Sequence, residues 1–330
     1  MQQVRWGILG CGNIARKFVR AVETVEQAAV TAAASRSIEK AQKFAQKWDI
    51  PLAFGSYDEL LYSGKVDAVY IATPHNTHFE LARRALLADV PVLCEKPFTV
   101  CAVQAKELLQ IAQQRKVFCM EAMWTRFLPV MSKLRELIGQ GKIGEVQRVA
   151  AQYCFAGEFD PASRLWAPEL AGGALLDVGV YPLALAAMVL GSRPNRIQAV
   201  CLKCETGVDE TTVVRLDYGQ ATAHLSCGIS MQFPAMAVIE GTKGKIQIPQ
   251  FYAAEHMEIM YNNGTTETIE LPFDKNGFEY EIEEVVHNLR AKQWQSALLP
   301  LEESVRVMEL LDEIRRQCAI TYPFLSECGG

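Results

Sequence analysis

Between residues 4 and 121 the chain alternates short apolar runs with amphipathic stretches. VRWGILG, AVTAAAS, VDAVYIAT, PVLCEKP and VFCMEAM read as buried strands, and helical patterns begin near Asn13, Ile38 and Thr77, with one more before Val117. This alternation predicts successive βα units and a doubly wound parallel sheet, an α/β arrangement. After Met123 the rhythm changes, with an amphipathic helix at about 129–139, a strand at about 145–156 and a helix from Gly173. From about 196 to 270, runs such as TTVVRLDYG, ATAHLSCGIS and AMAVIEGTKGKIQIP are separated by turns rich in Gly and Asn, the pattern of an antiparallel sheet. The tail returns to helix, first with an apolar stripe at Phe278, Ile282, Val285, Val286 and Leu289, then from about Leu301 to Cys318.

Composition limits what these elements serve. A chain of 330 residues is long enough for two cores, and the expected division is 1–121 and 122–330. With 33 basic and 38 acidic side chains the net charge is −5, which argues against a nucleic-acid partner. The start MQQVRWGILG enters a strand without a charged and apolar leader, and the reading finds no uninterrupted apolar run of about 18 residues. A cytoplasmic chain without a membrane span is therefore expected. Ten cysteines scattered through strands and helices then read mostly as small buried thiols in a reducing compartment. Cys201 and Cys204 are spaced as CxxC, but within a strand an offset of three sends them to opposite faces, which weighs against a metal or redox pair.

Several junctions carry chemistry. Gly10-x-Gly12-x-x-Ala15, with Asn13 and Ile14 opening the following helix, suits a tight turn that lets a pyrophosphate approach a helix N-terminus. With this motif the first domain reads as a Rossmann, NAD(P)-binding sheet. The second strand ends in Ser35-Arg36-Ser37 where NAD binders place a carboxylate, so NADP is expected over NAD. Thr73, Pro74, His75, Asn76 and His78 follow a strand end where a nicotinamide would be covered, and the spacing of the two histidines is a poor zinc signature. Glu95-Lys96-Pro97 ends another strand at the same edge. It reads equally as a cofactor-side lysine with a rigid, possible cis Pro97, or as a surface turn with a solvated ion pair. Asp177 and Tyr181 stand four residues apart after Gly172-Gly173, a spacing that aims both side chains at one ligand. Trp124, Arg126 and Trp166 are candidates for holding a sugar or flat diol, with Tyr153 and Phe155 as weaker ones.

Together these residues carry a resemblance. The Gly10 to Ala15 fingerprint, ATPHNTH, CEKP, GGALLDVGVYP and EGTKGKI are similar to the glucose-fructose oxidoreductase/inositol dehydrogenase (Gfo/Idh/MocA) family over nearly the whole chain. MEAMWTRFLP, GGALLDVGVY and ETGVDETTVV look most like the dimeric dihydrodiol dehydrogenases that also oxidise D-xylose with NADP. The resemblance implies that Lys96 contacts the reacting hydroxyl and that Tyr181 is the acid/base, where many members have histidine. It leaves Asp177 either orienting the sugar or the lysine, or serving as a buried structural carboxylate. A phenol is a reluctant base at neutral pH, and a nearby lysine ammonium favours its ionised form. The implied function is hydride transfer between NADP and a secondary alcohol or carbonyl of a sugar or cyclic trans-diol. A non-catalytic NADP-binding regulator and an anhydro-sugar reductase are the alternatives. The open sheet, whose Val213, Arg215 and Asp217 alternate beside Thr222, His224 and Ser226, is expected to join two copies in a homodimer.

Overall fold

The computed structural model describes residues 3–325. One unit comprises Met1–Trp124 with Asp274–Val305. Its strands are β1 (Val4–Leu9), β2 (Ala28–Ala34), β3 (Leu52–Phe54), β4 (Ala68–Ile71), β5 (Val92–Glu95) and β6 (Cys119–Ala122). They form one sheet in the order β3-β2-β1-β4-β5-β6, with every neighbouring pair parallel. Parallel strands need crossovers. These contain α1 (Asn13–Val22), α2 (Ile38–Lys47), α3 (Tyr57–Leu61), α4 (His78–Leu87) and α5 (Ala102–Arg115). Strand order reverses between β1 and β4, so the carboxyl ends of these strands open a crevice, the place where doubly wound sheets hold ligands. The short β3 and α3 escape a reading by periodicity because three and five residues are too few to show a period.

The division expected at 121/122 is corrected in two ways. The first unit runs on to Trp124, and residues 274–305 rejoin it. This returning segment contains α8 (Glu279–Arg290), whose stripe Ile282, Val285 and Val286 is buried. Asn276 Nδ2 donates to the Lys17 carbonyl at 3.0 Å, and Cys119 N–H donates to the Trp294 carbonyl at 3.1 Å. An apolar period says that a helix is buried without saying against what.

The other unit comprises Thr125–Phe273 with Arg306–Gly330. Its elements in chain order are α6 (Pro129–Gly139), β7 (Val146–Ala156), a π-helical turn (Leu175–Gly179) leading into α7 (Val180–Leu190), and β8 (Arg196–Lys203). Then come β9 (Asp209–Asp217), β10 (Thr222–Gly228), β11 (Ser230–Gly241), β12 (Gly244–Pro249), β13 (His256–Tyr261) and β14 (Thr266–Glu270). The eight strands lie in the order β14-β13-β12-β11-β7-β10-β9-β8. Six of the seven pairings are antiparallel, but β7 and β10 run parallel, so the sheet expected to be antiparallel is mixed at its centre. Val149, Ala151, Leu225 and Ile239 are buried on its inner face. The register aligns Val200, Val213, Ser226, Gln152, Met236 and Pro249 in one row across the other face. α9 (Leu301–Gln317) reaches β8 through Gln317, whose side chain accepts from Ala199 N–H and donates to the Ile197 carbonyl.

Pro168–Leu190 is long and apolar enough to cross a membrane, with a mean hydropathy of 1.9, which the search for uninterrupted apolar runs missed. Of its most apolar window 78% is buried within the protein, as in a core helix. Among the described residues eight cysteines are free thiols, and Cys101 is disulfide-bonded. Cys201 Sγ contacts the Cys318 carbonyl while Cys204 Sγ contacts Thr206 Oγ1, so the CxxC pair splits between two environments.

Glu281 on α8 is the most unusual side chain of the first unit. It is wholly buried, and neither carboxylate oxygen has a hydrogen-bond partner among the described residues. Burial, and then the nearby Glu95, push its ionisation far above the ordinary carboxylate range. The carboxyl is neutral in the native state over a pH range where it ionises when unfolded, so it favours the fold less as pH rises. Glu281→Leu is expected to raise stability by about 1–3 kcal/mol by removing an unpartnered buried polar group. Thermal melts from acid to alkaline pH should show the gain growing with pH. A loss of stability at alkaline pH would contradict this account.

Candidate active site

The cofactor end of the first unit follows from backbone shape. Gly10 has φ +101°, and a Cβ there would stand 2.8 Å from the Ala72 carbonyl oxygen, so the turn after β1 requires glycine. Gly12 caps α1, and a Cβ there would meet only that same oxygen, at 3.8 Å. α1 has no side-chain N-cap. Its first-turn N–H groups, beginning at Asn13 and Ile14, therefore present the donors and the positive helix end that suit a pyrophosphate, while Ala15 packs inward. At the end of β2, Ser35 is buried and Arg36 exposed. Ser37 caps α2 by accepting from Lys40 N–H at 3.2 Å, and its hydroxyl donates to Glu39 at 2.6 Å. Sequence reasoning missed Tyr57 and Lys40. Burial raises the Tyr57 phenol while the charge of Arg36 lowers it, and Lys40 acts likewise on Cys11, so these cations gather around the ends of β1 and β2.

The next two strand ends are tied to each other. His78 is wholly buried, with Nδ1 2.9 Å from the Pro97 carbonyl and Nε2 2.9 Å from the Thr73 carbonyl. This corrects its expected cofactor contact, because both ring nitrogens are occupied in bracing the Thr73-Pro74 turn against Lys96-Pro97, a cis peptide. Burial lowers its basicity, against the opposing pull of the Pro97 and Thr73 carbonyls. His75 is buried edge-on to it at 5.8 Å, and Asn76 lies in the same turn. Glu95 is also an inward brace. It accepts from Tyr70 Oη, and its other oxygen accepts from Lys96 N–H at 3.2 Å. Burial raises its ionisation, which Tyr70 and then the Lys96 charge oppose. Lys96 itself is half-buried at the strand edge.

In the second unit the double glycine and the paired Asp177 and Tyr181 belong to one device. A Cβ on Gly172 would meet the Leu165 carbonyl oxygen at 2.7 Å, and one on Gly173, at φ +113°, would meet Asp209 Oδ1 at 2.3 Å. Asp209, wholly buried, accepts from Leu175 N–H at 2.8 Å and from the Thr212 hydroxyl at 2.6 Å. It thus serves the start of the helical run from another strand, where no local side chain caps it. The Gly172 carbonyl accepts from the buried Tyr322 hydroxyl at 2.7 Å. The run then widens into its π turn, a feature frequent at functional sites and illegible to α-helical spacing. Asp177 accepts from Arg164 Nη1 at 2.8 Å, a partner that sequence spacing does not reveal. Tyr181 is 8% exposed, with Tyr153 at 5.6 Å and Tyr252 at 6.0 Å between ring centroids. Burial, and then Tyr252 and Tyr181, push the Tyr153 phenol up.

Trp166 and Trp124, expected to contact substrate, both pack against other side chains. Trp166 is buried, donates Nε1–H to the Glu158 carbonyl at 2.8 Å and meets Phe159 edge-on, so it is a core residue of its loop. Trp124 lies stacked on Phe278 at 5.1 Å. Arg126 is half-buried in a short 3-10 turn. The described residues contain no group of three or more His, Cys, Asp or Glu arranged to hold a metal ion.

Burial raises the Asp209 carboxyl to about 6, against the opposing pull of Thr212 and Leu175 N–H. Its contribution to native stability is fully present below the ordinary aspartate range and is lost as pH rises through about 6. Asp209→Asn should therefore flatten the dependence of Tm on pH across that window relative to wild type. Asp209→Ala, which removes the carboxylate that accepts from the Leu175 N–H, should cost about 2 kcal/mol by chemical denaturation. An unchanged pH slope together with an unchanged midpoint would remove Asp209 from this role.

The sequence and the fold both have known relatives. Residues 4–123 match the oxidoreductase family with NAD-binding Rossmann fold, and residues 131–247 match the GFO/IDH/MocA C-terminal domain. The chain is 36% identical to a trans-1,2-dihydrobenzene-1,2-diol dehydrogenase of Mus musculus, over 97% of this chain and 98% of the relative. It is 35% identical to a D-xylose 1-dehydrogenase (NADP(+)) of Hypocrea jecorina, over 98% and 94% of the two chains. A 3-ketoreductase from Actinomadura kijaniata, crystallised with NADP and TDP-benzene, superposes with a TM-score of 0.86 at 26% identity, covering 96% of this chain and 98% of the other. The chain belongs to the GFO/IDH/MocA family of oxidoreductases and is an NAD(P)-dependent dehydrogenase or reductase.

Proposed function

We propose that the enzyme transfers hydride between NADP and a secondary alcohol or carbonyl of a sugar or cyclic trans-diol, with Tyr181 as acid/base. The observation that carries this reading is the buried Tyr181 on a helical run whose start is held by Asp209 and whose π turn carries the Arg164-paired Asp177. The names of the dihydrodiol and xylose dehydrogenase relatives support the substrate class. A regulatory NADP-binding protein would need neither Tyr181 nor Lys96. Turnover of anhydro sugars would instead favour a reductase.

The residues present fit NADP. The open side of Gly12 and the uncapped start of α1 suit the pyrophosphate, and Arg36 with Ser35, Ser37 and Lys40 suits a 2′-phosphate. Bound NADP supplies the nicotinamide C4 that accepts or returns hydride. In the oxidative direction the alcohol carbon gives up hydride and its O–H bond breaks, the proton passing to Tyr181 Oη. In the reductive direction Tyr181 returns that proton to the developing alkoxide. Lys96 is assigned to the reacting hydroxyl, as the family resemblance implies. Asp177, held by Arg164, accepts from a substrate hydroxyl.

The sheet of the second unit supports a further reading, a two-fold dimer. Val200, Leu202 and Val213 are 68, 61 and 48% exposed on its outer face, and self-pairing covers such a face. Eight free thiols among the described residues support a reducing, cytoplasmic compartment, and the disulfide at Cys101 counts against it.

Aldoses and diols offered with NADP or NAD, following reduced cofactor by absorbance, test the central proposal. Tyr181→Phe should bind NADP as wild type does and lose roughly 10²-fold or more in turnover. Arg36→Ala should weaken NADP more than NAD. Undiminished turnover in the first variant, or equal losses for both cofactors in the second, would refute the respective role. For the dimer, sedimentation at micromolar concentration should give twice the chain mass, reduced to one chain by Val213→Glu. A wild-type mass of one chain would exclude it.

A further inference from the structure

The end of α9 is seated on the edge strand β8 by a row of contacts within the second unit. The Gln317 side chain accepts from Ala199 N–H at 2.8 Å and donates to the Ile197 carbonyl at 3.1 Å, and Lys203 Nζ donates to the Ala319 carbonyl. Ala319 takes a left-handed conformation at φ +49°, where helix ends favour glycine, so its surroundings must fix the backbone there. Between these anchors Cys201 Sγ lies 3.7 Å from the Cys318 carbonyl, and the two thiols are hydrogen-bonded to each other. Cys201 is half-buried and alternates with the exposed Val200 and Leu202, which places it on the opposite face of β8 from them. Cys318 is buried. Cys204, which completes the CxxC spacing, is engaged with Thr206 Oγ1 at 3.1 Å. The spacing along the chain joins Cys201 to Cys204, whereas the fold joins it to Cys318.

We propose that Cys201 and Cys318 are a redox-active dithiol, a modification site that closes to a reversible disulfide when a small disulfide such as oxidised glutathione is offered. Thiols already in contact reach bonding distance by a small approach of the side chains, where cysteines held far apart need the backbone to move. Cys201, the more exposed of the two, attacks one sulfur of the glutathione disulfide as its thiolate. That S–S bond breaks, one glutathione leaves and takes up the proton that Cys201 lost, and Cys201 carries the other as a mixed disulfide. Cys318 then attacks the Cys201 sulfur and expels the second glutathione, which takes up the proton from Cys318. Two protein thiols are oxidised and one small disulfide is reduced to two thiols. Burial, and then Cys201, push the Cys318 thiol up to about 12, and the Lys203 charge opposes them. Cys318 is therefore a poor first nucleophile, but its attack on Cys201 is intramolecular, and proximity offsets its scarcity of thiolate. The closed bond ties the edge strand to the last helix, which restricts the unfolded chain and makes the oxidised protein harder to unfold.

The test equilibrates the folded full-length chain with mixtures of reduced and oxidised glutathione, blocks the remaining thiols by alkylation, and maps the unreduced digest by mass spectrometry. Wild type should yield the Cys201 and Cys318 peptides joined, lighter by two hydrogens than the separate pair, in a proportion that rises with oxidised glutathione and returns to zero with dithiothreitol. Cys318→Ser should trap glutathione on Cys201, and Cys201→Ser should leave Cys318 unmodified. The oxidised wild type should melt several degrees above the reduced form, a rise absent from Cys201→Ser. Both cysteines alkylated at every glutathione ratio would overturn the proposal, as would Cys201 joined to Cys204 instead, or glutathione remaining on Cys201 of wild type without the joined peptide. A joined form that melts no higher than the reduced one would overturn the fit of the bond to the seated end of α9. The map of wild type alone decides the pairing if either variant fails to fold.

Discussion

One carboxylate organises the helical run of the second unit that carries Asp177 and Tyr181. Asp209, brought by β9, occupies the space that a side chain at Gly173 would need and accepts the N–H of Leu175. A helix start buried without an acceptor leaves donors unsatisfied at a cost comparable to a lost hydrogen bond each. Here a residue from a distant strand meets that need, and glycine is the residue that lets it come close enough. The position of everything downstream follows, including the π turn, Asp177 on Arg164, and Tyr181 among its tyrosine neighbours.

The nucleotide-binding half uses glycine for two separate purposes. Gly10 is confined by the Ala72 carbonyl and by its own positive φ, a requirement of the turn itself. Gly12 is not so confined, since a Cβ there would meet only that oxygen, at an ordinary contact distance of 3.8 Å. The same contrast separates His78 from Lys96. The histidine has both nitrogens committed to main-chain carbonyls and is part of the scaffold, whereas the lysine rides on the turn that the histidine holds.

Buried acids recur in both units. Glu95, Glu281 and Glu121 lie in the first unit, with burial raising Glu121 to about 7, and Asp209 lies in the second. Each is less stabilising ionised than protonated, so their combined contribution to stability falls as pH rises. Their roles differ with their partners. Glu121 accepts from Phe98 N–H just beyond the cis peptide, Glu95 takes Tyr70 and Lys96 N–H, and neither oxygen of Glu281 has a hydrogen-bond partner among the described residues.

The local pattern of the chain determined the βα alternation, the glycine turn after β1, the arginine at the end of β2 and the strand-rich second half, because each is written in periods and turn residues within a few positions. What required the tertiary structure is whatever depends on a partner far along the chain. The return of α8 to the first unit, the parallel pairing of β7 with β10, Arg164 on Asp177 and Asp209 beneath Gly173 all join residues whose separation leaves no period to read. The π turn belongs with them, because a widened turn keeps the same residues and changes only which carbonyl each N–H reaches.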